Sequence, residues 1–358
     1  MSNKFSMSGL LATIMVIALL FFAIRSDMAA GRAGNNTEST QMATTTENIE
    51  SDSSEEETET ETETEESGPK QVGDVTFCQG FEAYTTENTV TTSEDKVAGT
   101  YSILLNEATG EIVAQRDANT KISPASMTKI LTVLTAAEAI ESSDDLSYDD
   151  IVEITFEATN YSYVNDCSNC GFMVGDQVKV SDLFYGTILP SGADAAVSLA
   201  LYVAGSQEAF VDMMNEEVAK LGLAETSHFT NPAGIYDEDL YTTAYDMSMI
   251  LKAAVENDFC REVLGTHVYT IEASENHPDG MVLSNWFLRR IEDHMADSGQ
   301  SVGQVLGAKT GFVNESGFCA ASYEVSSTGI PYICVVANSY SSWGCIYDHV
   351  AIYTNYAK

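Results

Sequence analysis

Residues 123–140, SPASMTKILTVLTAAEAI, decide how this chain is read. Ser123 can cap the free backbone N–H groups at a helix start, and Pro124 suits the first helical position, where its missing N–H is not needed. From Ser126 to Ile140 the run is apolar on almost every side, which predicts a helix buried at the centre of a domain. Ser126 then falls in the first turn, and Lys129, three residues on, shares its face, so the amine can reach the hydroxyl. Burial and a second nearby cation such as Lys309 both disfavour an ammonium, and a lysine so lowered can act as the base for a serine nucleophile. The alternative reading is a capped helix with an incidental lysine.

Two further strings favour the chemical reading. Ser191-Gly192-Ala193 begins 65 positions after Ser126, and Lys309-Thr310-Gly311 begins 118 positions after Ser191 in a strand-like run. A hydroxyl with a lysine three residues on, a second serine and a strand-borne Lys-Thr-Gly, in that chain order, are the parts of the acyl-transfer site of β-lactamases and penicillin-binding proteins. Each string alone recurs in unrelated proteins; the ordered set is far more specific.

The chain resembles the low-molecular-mass penicillin-binding proteins, serine-type D-alanyl-D-alanine carboxypeptidases of peptidase family S11, over residues 97–358. YSILLNEATGEIVAQ at 101–115 resembles the hairpin before the nucleophile helix in that family. LPSGADAA at 189–196, HFTNPAGIYDEDLYTTAYDM at 228–247 and GAKTGFVNESGFC at 307–319 follow its patterns in order. The resemblance implies an α+β fold, the β-lactamase/transpeptidase-like sandwich of an antiparallel sheet with a helical cluster and the site between them.

It also implies roles. Ser126 would attack the carbonyl between the two terminal D-alanines of a peptidoglycan stem peptide, releasing the last one and leaving an ester that water hydrolyses; β-lactams would acylate the same hydroxyl. Lys129 would take the serine proton, and Ser191 would relay a proton to the departing amine. The oxyanion would rest between the backbone N–H groups of Ser126 and Phe312. Lys309, Thr310 and Gly311 would bind substrate, Lys309 through positive potential and Thr310 by hydrogen-bonding the terminal carboxylate.

Two departures from the family pattern stand out. Many relatives carry Ser-x-Asn as the second motif, whereas Ala193 has no amide to offer. Some use an arginine downstream of Lys-Thr-Gly to grip the substrate carboxylate, and here no arginine follows Arg290.

Composition bounds the rest. Residues 9–24, GLLATIMVIALLFFAI, form an apolar run ended by Arg25, read within residues 1–34 as a secretory signal or a short N-terminal membrane anchor. Residues 35–96 read as an acidic Ser/Thr/Glu-rich disordered linker; from Asn35 to Ser67 it holds twelve acidic residues and no basic one, a composition that cannot form a core. Residues 97–358 form the expected catalytic domain, placed on the outer face of the membrane or in the wall. That domain carries 36 acidic and 11 basic residues, which disfavours nucleic acid as a partner.

Among seven cysteines, Cys167 and Cys170 could form a local disulfide, a weak metal pair or two free thiols, and an exported location favours the first. Cys319 and Cys334 read as buried core thiols. The five histidines show no H-E-x-x-H and no close pair, and no metal or cofactor is expected.

Strands are expected near 101–115 and 307–338, and helices at 126–140, 194–204, 207–221, 243–257 and 345–356, with Thr243 and Asp246 as a capping pair. Two rival functions remain. One is a non-catalytic peptidoglycan or penicillin sensor. The other is a β-lactamase, although the Glu-x-x-Leu-Asn that supplies a deacylating base in class A enzymes is absent between Ser191 and Lys309.

Overall fold

From Tyr332 to Ala337 successive side chains alternate between two cores. Ile333, Val335 and Ala337 pack on one side of the backbone, and Tyr332, Cys334 and Val336 on the other. A strand buried on both faces reads as an unbroken apolar run, because its period of two meets protein on either side. This strand sits inside a six-stranded sheet, in a computed structural model that describes residues 81–299 and 302–358. The apolar run at 9–24 and the acidic tract up to residue 80 lie outside the described residues. Among those described, no helix is long and apolar enough to cross a membrane.

In chain order the elements are β1 (Tyr84–Thr91), β2 (Tyr101–Asn106), β3 (Glu111–Arg116), a 3-10 turn (Ala125–Met127) running into α1 (Thr128–Glu141), β4 (Ile151–Glu153) and α2 (Phe156–Val164). Then come β5 (Gln177–Lys179), α3 (Val180–Ile188), α4 (Ala193–Ala204), α5 (Gln207–Lys220), α6 (Ala244–Glu256) and α7 (Asp258–Gly265). The chain ends with β6 (Val268–Ile271), β7 (Met281–Ser284), α8 (Trp286–Ser298), β8 (Gln304–Val313), β9 (Gly317–Val325), β10 (Pro331–Ser339) and α9 (Ser342–Tyr356). The main sheet has the order β1-β3-β2-β10-β9-β8, antiparallel except for the parallel pair β1 and β3. β4 with β5 and β6 with β7 form small hairpins.

The expected antiparallel sheet with a helical cluster is present. Its larger core gathers Ile130 of α1, Leu183 of α3, Leu199 of α4, Phe210 of α5, Met247 of α6 and Val263 of α7 against Ile103 and Ile333. The opposite face is covered by Phe287 and Ile291 of α8 and by Ile346, Val350 and Tyr353 of α9. α1 is buried almost all round, as its sequence predicts, from Thr128 through Ala137. Thr243 caps α6 by accepting from the Asp246 N–H at 2.9 Å, and the Asp246 carboxylate also accepts from the Ser227 hydroxyl at 2.6 Å.

The domain starts earlier than residue 97. β1 lies inside the stretch expected as linker, and its polar, largely exposed sequence, YTTENTVT, carries no apolar alternation to announce it. Backbone pairing with β3 holds it. The segment that follows is tied down by Arg116, whose guanidinium donates to the carbonyls of Thr92, Val97, Gly99 and Thr100. Asp348 of α9 accepts from the N–H groups of Ala98 and Gly99 at 2.6 and 2.9 Å. Gly99 itself is obligatory: a β-carbon there would stand 2.3 Å from Val336 Cγ1.

Candidate active site

Ser126 stands in the 3-10 turn, two residues before α1 begins. The cap expected from Ser123 is not formed: its buried hydroxyl has no hydrogen-bond partner among the described residues, and no side chain caps the turn. The turn is instead wedged into shape. Ala125 is fully buried with φ +46°, a left-handed conformation that costs a non-glycine residue roughly 1–3 kcal/mol and persists only where its surroundings enforce it.

Lys129 Nζ donates to Ser126 Oγ at 3.0 Å and to the Ala233 carbonyl at 2.7 Å. Burial drives its pKa down to about 8, partly offset by Cys167, Asp194 and Cys170 around it. Lys309 is pushed well below its ordinary value by burial and then by the Lys129 charge, and its Nζ donates to the Thr310 carbonyl at 2.9 Å. The expected influence of Lys309 on Lys129 thus runs the other way: burial lowers Lys129, and the Lys129 charge in turn lowers Lys309.

A loop that sequence reasoning quoted without assigning a role holds Lys129 in place. The Asn231 carboxamide oxygen accepts from the N–H groups of Ala233, Gly234 and Ile235 at 3.2, 2.7 and 3.0 Å, which fixes the Ala233 carbonyl toward the amine. Thr132 Oγ1 of α1 donates to the Pro232 carbonyl at 2.7 Å. The Asn-Pro-Ala-Gly string is turn chemistry, and that was the available signal.

Ser126, Lys129, Ser191, Thr310, Gly311 and Phe312 line one cleft of about 510 Å³. Gly311 packs on the turn that carries Ser126 so closely that a β-carbon there would meet the Ser126 nitrogen and Cys319 Sγ, each at 2.9 Å. That approach brings the Phe312 end of β8 alongside Ser126, whose N–H, in the first turn of a helix, has no intrahelical acceptor. The Phe312 ring, half exposed, stacks on Phe318 with centroids 4.3 Å apart.

Ser191 adopts φ +64° just before α4. Among the described residues its hydroxyl makes no hydrogen bond to Ser126 or Lys129. Gly192 next to it is hemmed in by Cys170 Sγ, Asp194 Oδ1 and the Gly186 carbonyl, 2.4 to 2.9 Å from where a β-carbon would lie. Ala193 is fully buried, donates its N–H to the Ser168 carbonyl at 2.8 Å and does not line the cleft. The wall beside Ser191 is built instead by Asn165, Asp166, Cys167 and Ser168, which lie outside the three acyl-transfer strings.

Cys167 and Cys170 are free thiols, contrary to the disulfide favoured above. The Cys170 sulfur contacts the Gly186 carbonyl at 3.2 Å and that of Cys167 the Asn165 carbonyl at 3.6 Å, so each is engaged locally. Cys319 and Cys334 are buried as expected, with burial pushing the Cys319 thiol up to about 12. His349 is a core residue bonded to Ser322 Oγ at 2.8 Å, and burial lowers its pKa to about 3.

The profile of the Peptidase_S11 family, D-alanyl-D-alanine carboxypeptidase, matches residues 88–341. A D-alanyl-D-alanine carboxypeptidase of Bacillus subtilis, DacF, is 28% identical over 218 residues, 61% of this chain and 52% of that protein. One from Streptomyces sp. strain K15 is 32% identical over 231 residues, covering 62% of this chain and 75% of that one. The crystal structure of the Streptomyces K15 DD-transpeptidase superposes with a TM-score of 0.63 at 28% identity, over 73% of this chain and 97% of that one. The match spans about half of the Bacillus subtilis protein, 52% of its length.

Proposed function

This chain belongs to the D-alanyl-D-alanine carboxypeptidase family, peptidase S11, and from that premise we propose a serine D-Ala-D-Ala carboxypeptidase acting on peptidoglycan stem peptides. The observation that carries the reading is the 3.0 Å contact from Lys129 Nζ to Ser126 Oγ, made by a lysine whose pKa burial has brought to about 8. About a tenth of such an amine is neutral at pH 7, against well under a thousandth for an ordinary lysine. Neutral amine is what can accept the serine proton.

In the proposed cycle Ser126 Oγ attacks the carbonyl of the penultimate D-alanine while its proton passes to Lys129. The oxyanion is held by the N–H groups of Ser126 and Phe312, where losing one donor typically costs about 2.7–4 kcal/mol. Collapse breaks the amide and sends a proton through Ser191 to the departing D-alanine amine. Water then hydrolyses the ester on Ser126. Thr310 hydrogen-bonds the terminal carboxylate, and Lys309 adds positive potential in its protonated form. Penicillins acylate the same hydroxyl.

The domain is proposed to work outside the cytoplasm, with residues 9–24 as export signal or tether and the acidic tract as a self-repelling spacer. Incubation with a diacylated peptide ending in D-Ala-D-Ala tests the function. Catalytic release of D-alanine is expected. Acylation by penicillin without any peptide turnover would instead support a sensor, and rapid penicillin hydrolysis a β-lactamase.

A further inference from the structure

Arg290, on α8, is placed unlike any other arginine among the described residues. Its guanidinium carbon lies over both tryptophan rings of the chain, 3.3 Å from the Trp286 centroid and 4.5 Å from that of Trp343. Nη1 donates to Ser342 Oγ at 3.3 Å. Trp286 and Ser342 both line the cleft that holds Ser126 and Thr310. Ring contact of this kind covers the guanidinium faces and leaves its in-plane N–H groups free for a planar acceptor.

No such acceptor is supplied from within. No salt bridge among the described residues includes Arg290. Yet residues 97–358 carry 36 acids against 11 bases, so carboxylates are plentiful elsewhere. The other three arginines among the described residues are committed: Arg116 to backbone carbonyls, Arg261 to Asp258 and Arg289 to Ser284.

We propose that Arg290 is a substrate-binding residue that receives the free carboxylate at the substrate's C-terminus. The inference rests on the acyl-transfer reading above, in which the scissile amide lies one residue from that carboxylate. Such a site needs a dependable positive charge, and the two buried lysines, Lys129 and Lys309, are poor suppliers. Burial opposes protonation of both, and the Lys309 ammonium is directed to the Thr310 carbonyl. A guanidinium keeps its charge and offers two parallel N–H donors to a carboxylate. Arg290 precedes Lys309 in the chain, so no motif spacing links them; the packing of α8 and α9 on one sheet face does.

Acylation of Ser126 by benzylpenicillin and by its methyl ester, followed in the parent, Arg290→Gln and Arg290→Lys, tests this. A hydrogen-bonded charge pair contributes about 1.5–3 kcal/mol, so Arg290→Gln is expected to slow acylation by the free acid about 10- to 100-fold. Its rate with the ester should stay within about twofold of the parent, and Arg290→Lys should recover part of the loss with the acid. Equal losses with acid and ester would assign Arg290 a packing role on the tryptophans and overturn the proposal. So would no loss with either. A parent that neither compound acylates would overturn the acyl-transfer reading itself, a result separable from these.

Discussion

Gly234 lies so close to Ala125 that a β-carbon on the glycine would stand 1.9 Å from the Ala125 carbonyl oxygen. Gly234 also has φ +79°, so both its backbone conformation and its contact exclude a side chain. The two residues lock the Asn231 loop against the turn that carries Ser126. Gly234→Ala is therefore expected to displace the Ala233 carbonyl from Lys129 and reduce the acylation rate at least about 100-fold, since misplacement by about 1 Å can cost that much. Stopped-flow acylation measured beside a thermal melt checks this; a variant acylating at the parent rate would show that the loop does not position the base.

The acylation rate should climb with pH through about 8 and level off above it. The sign follows from the role: Lys129 accepts a proton only when neutral, and burial places its midpoint at about 8. Between pH 6 and 7 the rate should rise close to tenfold per unit, as the neutral fraction does. A profile flat from pH 6 to 9 would remove Lys129 from the base role.

Replacing Ala193 by asparagine should not improve catalysis. Ala193 is buried away from the cleft, so the new amide would be desolvated there at a cost of about 1–3 kcal/mol without reaching the substrate. Ser191→Ala is expected to be the more damaging change to turnover. Steady-state kinetics on a D-Ala-D-Ala peptide decide it, and an inactive parent that gains turnover on Ala193→Asn would favour the sensor reading.

A chain beginning at Val97 should be less stable than one beginning at residue 81. It lacks β1 and the Thr92 carbonyl that Arg116 holds. A net loss of ~2 kcal/mol would lower the melting point of a domain this size by roughly 4–8 °C. Equal melting points would show that the β1 edge adds nothing.

The strands and helices that the sequence disclosed share one property: their apolar spacing matched their burial. α1 is apolar all round because the domain surrounds it, and β8 to β10 read as strands because both faces are covered. β1 escaped notice because its pairing is through the backbone and its side chains are exposed. At the site, Ser126, Lys129 and Lys309 were legible because the chemistry needs those residue types at fixed spacing. Asn231 and Arg290 were not assigned roles, since the contacts each makes join residues far apart in the chain and only packing creates them. The Ser123 cap failed for a related reason: tertiary contacts from Gly234 and Gly311 shape the turn that carries Ser126, and local capping rules do not see them.

Intact-mass analysis with peptide mapping, after incubation of the parent and Lys129→Ala with benzylpenicillin, tests the central claim most directly. The account expects one covalent penicilloyl group on Ser126 in the parent and acylation slowed by several orders of magnitude in Lys129→Ala. An adduct on another residue, or a Lys129→Ala protein that acylates at the parent rate, would contradict it.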